Sequence, residues 1–398
     1  MAASYPTLKL ESKRATSVQY HHPWIFSGGI IRNETEFPIH GAIVFICDAQ
    51  NHILATGTYS AHSQIAVRVL EFGEVDISTQ WFINKFHNAE RDRAIFGYDL
   101  YTETTGYRLI FGEADGIPGL IVDRFGETIV IQIATAGMDQ LRQMIIAALI
   151  EVFHPKCIVE KSDISERERE KLPIVRSVVY GSLPKCGVQF QEYGVTYIAD
   201  VLAGQKTGFF LDQKDLRNFV KRYAAQKQIV NLFSYSGATG ISAFVGGATS
   251  IHNVDSSEQA LALCAQHAQL HHIPADRFTC ENADIFQWVA QKQKQFDMVV
   301  MDPPALIKSQ KHIDAGIKAY HFLNRAALRF VKKGGLFVTS SCSQHLTQEE
   351  LLRIVRKASI QNNQQIRILH IIHQSPDHPI SAYFPESFYL KSIIGMVT

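Results

Sequence analysis

Cys342 stands between Ser341 and Ser343, directly after the apolar run at residues 335–340. A cysteine is a small buried hydrophobe by default. At a strand end among hydroxyls it is instead a candidate nucleophile, because the thiolate is the reactive form. Asp302 opens Asp302-Pro303-Pro304 after a second apolar run, residues 296–301. The two prolines make a stiff, extended loop there. Upstream, residues 229–233 read as a buried strand and lead into Ser234-Tyr235-Ser236-Gly237-Ala238-Thr239-Gly240. The next strand, residues 250–254, ends in Asp255. Strand, glycine turn, helix, strand, acid is the βαβ layout that binds an adenosine cofactor, with Asp255 placed to accept from ribose hydroxyls. Gly237 and Gly240 fall short of the full G-x-G-x-x-G dinucleotide fingerprint. Hydride transfer has no need of the Asp-Pro-Pro loop, whereas a methyltransferase holding a flat nucleobase beside S-adenosylmethionine does.

A thiolate beside a methyl donor points to one reaction. C5 of a pyrimidine is a poor nucleophile, and addition of Cys342 to C6 would turn it into an enamine-like carbon able to take a methyl group. Asp302 would hold the exocyclic amine or N3 of cytosine. Neighbouring parallel strands end together at the open edge of a doubly wound sheet. Cys342 and Asp302 should therefore share one pocket.

The elements that must position these groups are legible around them. Residues 188–398 read as a Rossmann-like α/β domain with a sheet of about seven strands. It begins with a hairpin around Gly194. Next come Lys206 to Gln213 and a helix whose buried stripe is Leu216, Phe219, Val220 and Tyr223. Asp212 is its expected N-cap, and Lys214, Arg217, Lys221 and Arg222 fall on the other faces. Residues 308–333 carry seven Lys or Arg and one Asp, a surface that could meet phosphates or simply be solvated. Ahead of this domain, residues 1–75 read as a small β module and residues 76–187 as an α+β unit with a helix at 138–153. The acids of the turns at 112–119 and 124–127 look like turn chemistry. The mixed-charge run at 165–171 looks like a solvated face. Trp24 and Phe26, in a turn stapled by Pro23, are either core aromatics or an RNA-contacting edge.

Composition narrows the function classes. With 46% hydrophobic and 19% charged residues and a net charge of +1, the chain has ample core and is not a basic nucleic-acid coat. The six cysteines include no C-x-x-C pair, so neither a metal site nor a redox dithiol is expected. Residues 1–10 lack a signal-peptide h-region, and no apolar run approaches the ~18 residues of a membrane span. The expectation is a soluble, cytoplasmic protein.

Taken together, these motifs resemble the bacterial ribosomal-RNA large-subunit methyltransferase I family. His22-Pro23-Trp24-Ile25-Phe26-Ser27-Gly28 is similar to its N-terminal PUA signature, and residues 112–119 with 122–126 to its middle domain. Residues 206–213, Asn231 to Gly237, Asp302-Pro303-Pro304 and Ser341-Cys342-Ser343 resemble its catalytic domain. The resemblance implies an RNA-binding PUA domain, S-adenosylmethionine as cofactor, 23S rRNA as substrate and Cys342 as nucleophile. It implies cofactor contacts around Phe209, Asp212, Ser234, Gly237, Asp255 and Asp284. Asn231, Tyr235, Ser256 and Asp302 join the candidate cofactor set. Lys206, Arg217, Pro303 and Pro304 form the candidate substrate set. Family members are often homodimers. Many carry lysine after Asp-Pro-Pro, where this chain has Ala305, and the change removes a positive charge from the base pocket. Two other functions are weighed. A guanine N-methyltransferase would need no thiol, because nitrogen is already nucleophilic. A non-catalytic RNA-binding assembly factor would need neither Asp302 nor Cys342.

Overall fold

Between residues 228 and 341 four apolar runs become parallel strands, as expected for runs buried on both faces by helical crossovers, and the mostly exposed Phe278–Asn282 adds a fifth at the edge. They are Gln228–Leu232, Ser250–Asp255, Phe278–Asn282, Phe296–Met301 and Val331–Ser341. In the sheet their spatial order is third, second, first, fourth, fifth. The sheet therefore winds outward in both directions from Gln228–Leu232. Two antiparallel strands complete it: Lys391–Val397 pairs with Val331–Ser341, and Ile366–His373 forms the edge. The computed structural model describes residues 5–11, 18–31, 37–291, 294–307 and 309–398. Lys308, at the start of the basic stretch, lies outside the described residues.

This sheet belongs to a unit made of Asp212–Ser375 and Phe388–Thr398. Its core gathers Val230, Leu232, Val299, Met301, Phe337 and Ile393 from the strands, with Trp288, Tyr320, Leu323 and Leu351 from the covering helices. The helix at Lys214–Tyr223 follows a 3-10 turn at Leu211–Gln213. Here the structure corrects the sequence reading. Gln213 rather than Asp212 occupies the N-cap, and no side chain bonds there. Lys214 and Arg217 are buried, at 0% and 4% exposure, rather than facing solvent. A helical wheel sees only the apolar stripe and assigns charges outward, but the fold buries these two.

The other unit comprises the chain up to Leu211 with Pro376–Ser387. It holds a five-stranded sheet in the order Thr7–Lys9, Ile43–Cys47, Ile53–Tyr59, Ile65–Phe72, Trp24–Phe26. A second sheet runs Val175–Gly181, Cys157–Ser162, Thr128–Ile133, Leu120–Phe125, Gly106–Phe111. The hairpin Val188–Glu192 and Val195–Ala199 groups with this unit, as do Lys206 and Phe209. The helix expected over 138–153 is two, Ala136–Gln140 and Arg142–Phe153, joined at Leu141. The mixed-charge run is solvated at Ser165, Glu166, Glu168, Arg169 and Lys171, but two of its charges turn inward. Arg167 is fully buried, with Nη1 donating to the Ile133 carbonyl at 2.9 Å and pairing with Asp139 at 2.9 Å. Glu170 accepts from Ser60 Oγ at 2.7 Å and from Arg68 at 3.1 Å. Paired and hydrogen-bonded charges can be interior, and alternation of sign in a sequence does not reveal it. The turn acid Asp115 pairs with Arg93 at 2.6 Å, and Asp123, on the strand Leu120–Phe125, pairs with Arg108 at 2.7 Å. Trp24 donates from Nε1 to Glu113 at 2.8 Å and packs edge-on against Phe384, while Phe26 is exposed. No described helix is long and apolar enough to cross a membrane.

Candidate active site

The glycine turn is built by backbone that a sequence pattern does not show. Phe233 and Tyr235 both adopt left-handed φ, at 58° and 48°, and Gly237 follows at 70°. Non-glycine residues there cost free energy that the surroundings must offset. The offset is visible. Tyr235 N–H donates to Asp255 Oδ2 at 2.8 Å, and Ser257 N–H donates to Asp255 Oδ1 at 2.9 Å. Ser234 N–H bonds the Val254 carbonyl, and Gly237 N–H returns to the Ser234 carbonyl. His267 Nδ1 lies 2.9 Å from the Ser236 carbonyl. Asp255 thus fixes the turn and keeps further lone pairs for a ligand.

Gly237 leaves no room for a side chain. A Cβ there would sit 2.1 Å from Cys264 Sγ. Gly237→Ala is expected to destabilise the protein by about 2–4 kcal/mol, combining left-handed strain with overpacking. Cofactor affinity should fall with it. Thermal unfolding and calorimetric titration of the variant check both.

The remaining candidates divide by role. Asn231 is buried and donates from Nδ2 to Asn253 Oδ1 at 3.0 Å, tying the first two strands together beneath the turn. Ser256 is exposed. Asp284, also exposed, accepts from Gln287 N–H at 3.0 Å in front of the helix Ile285–Gln291. Phe209 is buried against Phe190 and Tyr197 in the other unit, where Lys206 is exposed.

Asp212, Gln213, Arg217 and Asp302 form the acidic side of the site. Tyr389 Oη donates to Asp212 Oδ2 at 2.6 Å, and Gln213 Nε2 donates to Asp302 Oδ2 at 2.5 Å. Asp302 keeps partial exposure as a residue, yet desolvation of its carboxyl pushes its pKa up to about 7. The Gln213 hydrogen bond pulls it down, the neighbouring Asp212 charge adds to the rise, and the Arg217 guanidinium opposes it. Pro303 is buried and Pro304 exposed.

Cys342 follows Val331–Ser341, whose Thr339 pairs with Met301 of the neighbouring strand, so Asp302 and Cys342 leave adjacent strand ends. Its loop is held by hydroxyls. Ser341 Oγ donates to Tyr320 Oη at 2.9 Å, and Tyr320 Oη and Ser343 Oγ are 3.1 Å apart. Ser343 Oγ also accepts from Ile307 N–H at 3.3 Å. Cys342 itself is partly exposed.

Two buried polar atoms fit an adenosine ligand. Ser234 Oγ and Asp212 Oδ1 have no hydrogen-bond partner among the described residues. Each is in the candidate cofactor set, and buried oxygens without partners are rare unless something else supplies one.

Comparison with known proteins agrees. A PUA-like domain model matches residues 8–72, and an S-adenosylmethionine-dependent methyltransferase model matches residues 180–359. The chain is 37% identical to the ribosomal RNA large subunit methyltransferase I of Vibrio parahaemolyticus, over 95% of this chain and 96% of that protein. It is 34% identical to that of Shewanella frigidimarina, over 98% and 99% respectively. The chain belongs to the ribosomal RNA large subunit methyltransferase I family. It is an S-adenosylmethionine-dependent methyltransferase with a mixed α/β fold. A solved S-adenosylmethionine-dependent methyltransferase from Streptococcus mutans shares the fold at TM-score 0.81 and 23% identity, over 98% of this chain and 99% of that one.

Some residues of this family member escaped the sequence reading. Gln213, Tyr389 and Lys391 all reach the site, the last two from a strand read only as sheet. A tyrosine and a lysine at the mouth of an apolar strand, Tyr389-Leu390-Lys391, were the available signal. The spacing of the cysteines in sequence also does not show which of them meet in space. The thiols of Cys264 and Cys280 stand 3.3 Å apart, because a helix returns one to the strand that carries the other.

Proposed function

We propose that this chain forms 5-methylcytosine in 23S ribosomal RNA, with Cys342 as covalent nucleophile and the PUA-like domain holding RNA. One observation carries the reading: Cys342 and Asp302 leave neighbouring strand ends of the sheet that bears the cofactor turn. When bound, S-adenosylmethionine supplies the electrophilic methyl group that C5 takes. Ser234, Gly237, Asp255 and Asp212 would hold it. The Cys342 sulfur adds to C6 as the C5–C6 double bond opens, and negative charge spreads towards C5 and N3. Asp302, with a pKa near 7, can present a protonated carboxyl to N3 while its other oxygen accepts from the exocyclic amine. Loss of the C5 proton and cleavage of the sulfur–C6 bond restore the ring and the thiolate. Pro303 and Pro304 stiffen the loop under the base. Arg217 supports Asp302, and Lys206 offers an exposed cation to the RNA backbone.

The test is methyl transfer from labelled S-adenosylmethionine to large-subunit RNA, followed by nucleoside mass spectrometry. 5-Methylcytidine is the expected product. A methylguanosine would replace this reading with nitrogen methylation. No product despite cofactor binding would favour an assembly factor.

A further inference from the structure

Lys391 opens the penultimate strand of the sheet, paired in register with Ser341 on one side and His373 on the other. It is 3% exposed. Its Nζ donates to the Ser343 carbonyl at 2.6 Å and to the Tyr389 carbonyl at 3.0 Å. Burying an ammonium group is costly unless it is paired. Among the described residues no carboxylate pairs with this one, and two carbonyls occupy only two of its three N–H groups. A strand position packed this deeply could hold methionine at far lower cost. The charge therefore calls for a partner that is negative in the working protein.

The anchoring shows where that partner is. Ser343 is the residue after Cys342, so the lysine is tied to the loop that carries the thiol. The other titratable groups facing this loop come from three elements. Tyr320 lies on the helix Ile313–Leu328, His373 on the edge strand Ile366–His373 and Asp302 at the adjacent strand end. Burial raises the Tyr320 pKa, and burial together with the Lys391 charge lowers that of His373. Neither is cationic at neutral pH, and Asp302 is neutral or negative.

We propose that Lys391 is the charge partner that holds Cys342 as a thiolate, a positioning residue for the nucleophile. The role rests on Cys342 being the nucleophile. Burial pushes the Lys391 pKa down to about 8, and Cys342 pulls it back up. Such coupling is mutual: the sulfur stabilises the ammonium form, so the ammonium stabilises the thiolate equally. At pH 7 the lysine is still mostly charged. Above about pH 8 it loses its proton, and its support of the thiolate fades with it.

The test is the pH dependence of Cys342 alkylation by iodoacetamide, read by peptide mass spectrometry, with methyl transfer measured in parallel. The full-length wild type is compared with Lys391→Met, Lys391→Arg and Cys342→Ala. The wild-type midpoint is expected below the ~8.5 of an unperturbed thiol. Lys391→Met should move it up by at least about one pH unit, which is about tenfold slower alkylation at pH 7. Methyl-transfer kcat should fall alongside, with cofactor affinity unchanged. Lys391→Arg, permanently cationic, should recover most of the alkylation rate. A wild-type midpoint at or above ~8.5, or an unshifted midpoint in Lys391→Met, overturns the proposal. The wild-type arm needs no variant, so the question stays decidable if Lys391→Met does not fold. Full activity in Cys342→Ala would instead overturn the nucleophile reading, and the catalytic role of Lys391 with it.

Discussion

Cys342→Ala should lower 5-methylcytosine formation by at least about 10³-fold while leaving S-adenosylmethionine affinity within about threefold. The size follows from the chemistry. Without covalent addition at C6, C5 of cytosine has too little electron density to displace a sulfonium methyl, and the activated intermediate is lost outright. Cofactor affinity should survive because Asp255, Ser234 and Gly237 lie on different strands and turns from the thiol loop. The loop should also survive, because its bonds run through Ser341, Ser343 and Tyr320 rather than through the sulfur. Cys342→Ser is the sharper variant. It keeps size and polarity but offers an oxygen that is not ionised near neutral pH, and it should be almost as inactive. A covalent trap gives an independent readout. RNA carrying 5-fluorocytosine should be methylated once and then remain attached to wild type, since fluorine cannot leave C5 as a proton does. The attached species should be absent in Cys342→Ala. An alanine variant with wild-type activity, or wild type that turns over the fluorinated RNA freely, would leave Cys342 a structural residue.

The strands that frame this site were legible because each is an apolar run closed by a turn residue or an acid. The parallel order follows from alternation with helices. Asp302 and Cys342 could be brought together on paper because neighbouring parallel strands end at one edge. The groups that tune them were not legible. Lys391 opens a strand that enters the sheet antiparallel, and Tyr389 stands just before it, far along the chain from Cys342. Gln213 reaches Asp302 from a 3-10 turn whose sequence looks like a helix start. Arg217 and Lys214 sit on a helix whose charged positions default to solvent, and only tertiary burial turns them inward. The left-handed φ of Phe233 and Tyr235 is invisible for the same reason. Nothing in an aromatic residue asks for that conformation, and the Asp255 carboxylate imposes it from the next strand. Hydrophobic pattern thus locates strand ends, while non-local polar partners decide what those ends can do.

Asp302→Asn should make the protein more stable and less active at once. The carboxyl has a pKa of about 7 in the folded protein against about 4 in an unfolded chain. Between those values the folded protein holds a proton that the unfolded chain does not. Stability contributed by this group is therefore full below about pH 4, falls as pH rises, and is lost above about pH 7. Three pH units set an upper bound of about 4 kcal/mol, and partial exposure of the residue brings the expected cost nearer to about 1–2 kcal/mol at pH 8. Asparagine is neutral throughout and keeps the shape, so at pH 8 its melting temperature should exceed that of wild type, with the gap closing towards pH 4. Activity should move the opposite way, by about 10²-fold or more, since the amide has no proton to place on N3. The pH profile separates this role from simple packing. Wild type should show a bell, rising as the Cys342 thiolate forms and falling as Asp302 gives up its proton. The residual activity of Asp302→Asn should keep the rising limb and lose the falling one. A variant that is destabilised at pH 8, or one that retains both limbs, would show that Asp302 meets the base only as a carboxylate acceptor.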